Sequence, residues 1–439
     1  MHSGGRQVGE RNRWSLGGFR ASSKNPNSSW IRLSPRQKRT TRARLRLGWA
    51  DGDEETEGAR GRGGQGPAGE AEGEEEDLTR EVGAAAAAAL RVGVLAPIAW
   101  RVPPRHYGPW EQFASLLTEG LFDRGIDVTL FATADSITSA RLVGTAPMGY
   151  AEDSSLDAKV WEALHVATVF ERADEFDLIH NGFDFLPLSF SRLVDTPVVT
   201  TIHGFSSERI VRVYERYNDV GHYVAISDAD RHARLEYAAT IRHGIEMDAF
   251  ALGGGAGGYL LYLGRIHPDK GTVHAIDVAA EAGLPLVIAG IVQDSEYFER
   301  LVAPRIDGRR VDYVGAVGPA RRDELLGGAV ALLHLIDFDE PFGFSVVEAM
   351  ACGTPVIAHA RGSMSELVRE GENGFLVASH AEAVAAVGAS ASLDRSTVRA
   401  SVERRFDAGR MVEDYIRLYR NVVARRRGSL GRGGEHGVE

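Results

Sequence analysis

Two carboxylates and two cations mark where this sequence can do chemistry. Glu340 and Glu348 stand eight residues apart in the run DFDEPFGFSVVEAMACGTPVIA, residues 337–358. An apolar stretch, 331–336, leads into the acids, Pro341 and Gly343 supply a turn, and Phe344, Val347 and Ala351 then follow helical spacing. Glu340 therefore falls at the carboxyl end of a strand and Glu348 inside the next helix. The helix start at Gly343, Phe344 and Ser345 offers free N–H groups and the positive end of the helix dipole, which suits a phosphate. A carboxylate can accept both hydrogen bonds of a vicinal diol, so two of them flanking a phosphate suit a sugar on one side and a ribose on the other. Read on their own, the same two residues equally fit a surface carboxylate and a helix-stabilising one.

The cations come from YLLYLGRIHPDKG, residues 259–271, where Arg265 and Lys270 sit just beyond an apolar run. The chain has only four lysines, at 24, 38, 159 and 270, against 46 arginines, so Lys270 points to a compact point charge at that place. With a diphosphate nearby, both cations would neutralise charge developing on a leaving group. His203 lies in the run TIHG, 201–204, at a strand end. Taken alone it reads as a packed structural histidine as readily as a ligand-facing one.

These side chains need elements to hold them, and from Leu90 onward the pattern is short apolar runs alternating with amphipathic stretches. That is the pattern of parallel strands joined by crossover helices, an α/β class. Strands are expected at 91–97, 127–132, 177–180, 198–203, 223–227 and 240–244, with a helix over 110–124. After the glycines of 253–258 the alternation restarts, with strands expected at 259–266, 286–290, 311–315, 331–336 and 355–358. The glycine run precedes a strand and so lacks the strand, glycine, helix order of a dinucleotide fingerprint; it reads as a linker. Two doubly wound sheets in series result, with ligand expected between them beyond the strands' carboxyl ends. The expected division is a tail at 1–83, a first Rossmann-like domain at 90–245, a second at 246–404 and a helix at 405–425.

Taken together, EPFGFSVVEAMACGTPVIA with its E-x7-E spacing, GRIHPDKG, TIHG, Ser227 with Arg231, and RGSMSEL at 361–367 resemble the GT-B retaining glycosyltransferases of family 4. The resemblance runs from residue 91 through the last helix. It implies that Glu340 holds donor-sugar hydroxyls, Glu348 the nucleotide ribose, Arg265 and Lys270 the diphosphate, and that His203 lies near the sugar. It implies an NDP-sugar donor, an acceptor hydroxyl on a saccharide or small molecule, retention of configuration, and a last helix that returns to the first domain. Two segments depart from the family pattern: YGPWE at 107–111 replaces a Gly-Gly loop, and His243-Gly244 stands where Asn-Gly is frequent. Pro103, Tyr107 and Trp110 fit either an aromatic wall for an acceptor or plain packing. Asp337-Phe338-Asp339 and Asp228-Ala229-Asp230 have the D-x-D spelling of metal-dependent transferases of the other major fold, yet with cations already serving the leaving group no metal and no cofactor are expected. A sugar-nucleotide epimerase, a pyridoxal-phosphate phosphorylase using Lys270 and a non-catalytic sugar-nucleotide module are the competing readings.

Composition bounds the rest. The chain has 439 residues, 44% hydrophobic, with a single cysteine, Cys352, so neither an internal disulfide nor a thiolate metal cage is available. No run approaches the ~18 apolar residues of a spanning helix, and a cytoplasmic protein with at most peripheral membrane association is expected. Residues 1–50 carry 12 Lys/Arg against one acid, and residues 51–81 carry 12 Asp/Glu against three arginines. Such charge blocks cannot bury enough surface to fold, so residues 1–83 are expected to be disordered, as a basic arm, a transit segment or the product of an upstream start codon. The remaining body is acidic, which argues against a nucleic-acid groove. Deleting residues 1–83 should leave activity and thermal midpoint unchanged, because exposed blocks of this kind are screened over about 8 Å at physiological salt. Tail-dependent sedimentation with anionic vesicles at physiological salt would instead identify the arm as an anchor.

Overall fold

The computed structural model describes residues 89–105, 108–205 and 207–433; Tyr107 and the expected tail, 1–83, lie outside these. Seven parallel strands make the first sheet: β1 (Arg91–Leu95), β2 (Asp127–Ala132), β3 (Arg141–Gly144), β4 (Leu178–Asn181), β5 (Val198–Ile202), β6 (His222–Ala225) and β7 (Tyr237–Thr240). Their order is β3-β2-β1-β4-β5-β6-β7. Parallel strands need crossovers on both faces, so central strands are buried twice and read as continuous apolar runs. Leu178 and Val199 enter one core with Val92 and Val94, while their neighbours Ile179 and Val198 enter the other with Phe131 and Val169. Helix α1 (Pro109–Asp123) covers the first face and helix α2 (Ala158–Phe170) the second.

The second sheet holds β8 (Leu260–Leu263), β9 (Leu286–Ala289), β10 (Val311–Gly315), β11 (Ala331–His334), β12 (Val356–His359) and β13 (Gly374–Val377), in the order β10-β9-β8-β11-β12-β13. This is the pair of Rossmann-like sheets that the GT-B resemblance implies. In each sheet the order reverses once, between β1 and β4 and between β8 and β11. Loops leaving adjacent strands at such a switch point diverge and open a crevice for ligand. The segment holding Arg265 and Lys270 leaves β8, and the segment holding Glu340 leaves β11.

Three features differ from the sequence-based expectation. The strand expected at 240–244 ends at Thr240, because ladder pairing with β6 stops at Ala225↔Thr240 and the chain turns toward the second sheet. Strands β3 and β13 were not expected; RLVG and GFLV are short, half-exposed edges without the long apolar run of a central strand. The last helix, α3 (Ala408–Gly433), starts three residues later than the expected 405. Before it, Asp407 forms a parallel bridge with Ile245, with Ile245 N–H donating to Phe406 O at 2.8 Å and Ala408 N–H to Ile245 O at 2.9 Å. The two passages of the chain between the sheets thus run side by side.

Helix α3 buries Met411, Val412, Tyr415, Ile416 and Tyr419 in the same core as Phe113, Leu117 and Leu121 of α1. Gly120 permits the approach, since a Cβ there would come within 2.5 Å of Val412 Cγ2. Among the described residues no helix is long and apolar enough to cross a membrane. Ending the chain after Arg404 would remove those five side chains and uncover Phe113, Leu117 and Leu121 of α1, each worth about 1.5–3 kcal/mol of burial. The truncate should be insoluble or melt well below the full chain; a soluble product with an unchanged thermal midpoint would contradict this packing.

Candidate functional site

The site is built where β8 and β11 lie side by side, with Leu260 against Ala331 and Leu261 against Leu332. The turn after β8 ends at Gly271, whose φ of 68° and whose missing Cβ, which would lie 1.9 Å from Leu335 O, let it press flat on the segment leaving β11. Asp337 N–H donates to Asp269 O at 2.8 Å and closes that contact. The result places Lys270 Nζ 2.8 Å from Glu340 Oε2, with each side chain only 14% exposed. The ammonium also lies 4.3 Å from the centre of the Phe338 ring. His334, at the end of β11, brings Nε2 to 3.6 Å from the same carboxylate oxygen. Burial alone would raise the Glu340 pKa, but the neighbouring His334 imidazole and the Lys270 ammonium outweigh it and hold the carboxyl at about 2.

The backbone of Glu340 is clamped from the other side. Gly362 has φ 55°, and a Cβ there would sit 2.4 Å from Glu340 N and O. Ser363 N–H donates to Glu340 O at 2.9 Å and Ser363 Oγ to Phe342 O at 2.7 Å, so the RGS turn fixes the EPFG turn. Helix α4 (Phe344–Ala351) follows the EPFG turn directly, after Gly343 at φ 96°, and no side chain caps its leading N–H groups. Glu348 lies one turn in, where its Oε1 accepts from Arg322 Nη1 at 2.8 Å. Burial raises the Glu348 pKa and Arg322 opposes the rise. The Arg322 guanidinium stacks 4.9 Å from the Phe250 ring centre. Arg265 donates to Gln293 and lies 3.7 Å from Asp269.

The first sheet contributes a stack of rings. Trp110 lies on His203 at 5.3 Å between centroids, His203 on His243 at 5.1 Å, and His243 on Phe344 at 5.0 Å, with interplanar angles of 24°, 19° and 14°. His203 Nδ1 and His243 Nε2 share a hydrogen bond of 3.2 Å. The outer nitrogens, His203 Nε2 and His243 Nδ1, are buried and unpartnered. Burial drives the His203 pKa down to about 3 and that of His243 well below the usual value, so both are neutral. Trp110 is placed by Glu111, whose buried carboxylate accepts from Trp100 N–H at 3.2 Å and pins the loop after β1.

Of the residues singled out from sequence, Lys270 and Glu340 meet at the β8/β11 switch point; Arg265 shares the turn after β8, Gly343, Phe344, Ser345 and Glu348 belong to the start of α4, and His203 reaches that helix through His243 and Phe344. Of the D-x-D aspartates, Asp337 lies 4.0 Å from His274 and Asp228 2.8 Å from Arg242. Arg322 and His334 were missed. Arg322 is one arginine of the pair ARRDELL with no motif to separate it from its neighbours, whereas His334 leaves a faint signal as the one polar residue inside ALLHLI.

Residues 255–404 match the family described as glycosyl transferases group 1. A D-inositol 3-phosphate glycosyltransferase of Acidothermus cellulolyticus is 33% identical over 187 residues, covering 38% of this chain and 42% of that relative, so the chain spans about two-fifths of its length. A phosphatidyl-myo-inositol mannosyltransferase of Mycobacterium leprae is 25% identical over 380 residues, 76% of this chain and 97% of the relative. The solved sucrose-phosphate synthase of Thermosynechococcus elongatus shares the fold with a TM-score of 0.63 at 20% identity, over 76% of this chain and 99% of that one.

The ion pair sets an acid limit. Glu340 moves from 4.5 to about 2 on folding, so the stability it contributes is complete above the higher value and is lost as pH falls toward the lower. Lys270→Met should lower the thermal midpoint at neutral pH and flatten its fall in that acid window; midpoints that match the parent at every pH would show that the pair carries no weight.

Proposed function

We propose that this chain, whose second sheet belongs to a glycosyl transferases group 1 domain, moves a glycosyl group from an NDP-sugar to an acceptor hydroxyl with retention of anomeric configuration. The observation that carries the reading is the Lys270–Glu340 contact at a sheet switch point, beside the uncapped start of α4. A diphosphate fits against Arg265, Lys270 and the N–H groups that follow Gly343, where cations and a helix dipole are already fixed before charge develops. Glu340 takes sugar hydroxyls and Glu348 the ribose diol, each accepting two hydrogen bonds as a carboxylate. His203, neutral and held by Trp110 and His243, borders the sugar with an uncharged edge.

None of these groups is placed as a nucleophile in this reading, so attack comes from the leaving-group face. The acceptor oxygen bonds to the anomeric carbon as the bond to the diphosphate oxygen breaks, and the acceptor proton passes to that phosphate oxygen. Arg265 and Lys270 stabilise the departing diphosphate, and no resident metal or cofactor takes part. Both relatives carry inositol derivatives in their names, which makes myo-inositol and its phosphates the first acceptors to try.

Incubation with a panel of NDP-sugars, with and without such acceptors, should release NDP and yield a product of unchanged anomeric configuration by NMR. Release from none of them, or an inverted product, would sink the reading. Lys270→Ala should slow turnover by roughly 10²-fold. Glu348→Ala should chiefly weaken NDP binding in calorimetry, and Glu340→Ala should chiefly reduce transfer; the opposite pattern would exchange the two roles.

A further inference from the structure

One carboxyl group in the cleft has no task in the fold. Asp230 follows β6 in a turn that Ser227 holds by accepting the Asp230 N–H at 3.0 Å on Oγ. Its Oδ1 is 4.0 Å from the point where a Cβ on Gly204 would stand, and Pro341 Cγ is 2.8 Å from that same point. Asp230 thus lies at the seam where the TIHG loop of the first sheet meets the EPFG loop of the second. Its Oδ2 is buried and without a hydrogen-bond partner. The nearest arginines in sequence are turned elsewhere: Arg231 donates to Thr240 Oγ1 and covers the Tyr237 ring, and Arg242 pairs with Asp228 and Glu366. Burial, and then the charge on Glu340, push the Asp230 pKa up to about 7.

A buried carboxyl oxygen left unsatisfied is costly to the fold and is retained where a ligand supplies the missing donor. Lys270 is taken up by Glu340 at 2.8 Å, and an uncharged hydroxyl donor fits the open Oδ2 of Asp230. We propose that Asp230 is a sugar-binding residue: its Oδ2 accepts a hydroxyl hydrogen from the transferred glycosyl group, opposite Glu340, so that both sheets grip the donor sugar. This rests on the donor reading given above.

The test uses the full chain, calorimetry with UDP, GDP, UDP-glucose and GDP-mannose, and the slow hydrolysis of these sugars by water in place of an acceptor. Asp230→Asn keeps the shape and Asp230→Ala removes the group; thermal midpoints establish that both fold. Both variants should bind the free diphosphate as the parent does, lose the extra affinity that the sugar confers, and hydrolyse the donor on the order of 10-fold more slowly. Unchanged sugar-dependent affinity and hydrolysis would overturn the assignment alone. Hydrolysis that needs a divalent cation in the parent and not in Asp230→Asn would overturn it in favour of a metal ligand. A parent that binds no NDP would overturn the donor reading and this inference with it.

Discussion

The arrangement of the second sheet turns on a single buried ion pair. Lys270 and Glu340 are 70 residues apart and meet at 2.8 Å because β8 and β11 are neighbours whose loops leave on the same edge. Removing charges from water is expensive, and a buried pair is often no more stabilising than packed apolar groups would be. Its value lies in what it aligns. The glycines at 271 and 362 exist to let two backbone segments press on the loop that carries Glu340, and each stands where any Cβ would strike a carbonyl or an amide. Breaking the pair would leave a carboxylate buried without a partner, and the clamps around it would hold the wrong chemistry in place.

Electrostatically the two sheets divide the work. The second sheet presents Arg265, Lys270 and Arg322, with Glu340 kept ionised far below neutrality. The first sheet presents rings. His165, His180, His203 and His243 all have lowered pKa values, with burial as the leading cause, and therefore add no positive charge to the cleft. The first sheet's wall is shaped by stacking, from Trp110 through His203 and His243 to Phe344, and the last ring belongs to the first residue of α4.

What sequence reveals here follows from how local each signal is. The central strands were legible because double burial writes itself as a continuous apolar run, and Glu340 with Glu348 was legible because strand, turn and helix are contiguous. The edge strands β3 and β13 were not, since half-exposed four-residue segments owe their conformation to a neighbour's ladder. Arg322 acquires its meaning only when the helix that carries it, Pro319–Gly328, is laid beside α4. Asp230 was visible as half of a D-x-D spelling, but that its Oδ2 is buried without a hydrogen-bond partner among the described residues is a property of three-dimensional surroundings. His243 was noticed as a departure from a family pattern, and its part in the stack could not be read from that.

The paired passage at Ile245 and Asp407 bears on evolution as much as on mechanics. Two covalent links between the halves, hydrogen-bonded to each other and packed so closely that a Cβ on Gly244 would meet Ala408 Cα at 2.5 Å, behave as one ribbon. A ribbon bends more readily across its flat face than along it, so a swing about that face is the relative movement of the halves that this joint opposes least. It also fixes the reading frame of the joint. Inserting or deleting one residue on either link would slip the register and rotate every side chain beyond it, so length variation among descendants of this chain should collect in the surface loops and leave these two segments untouched.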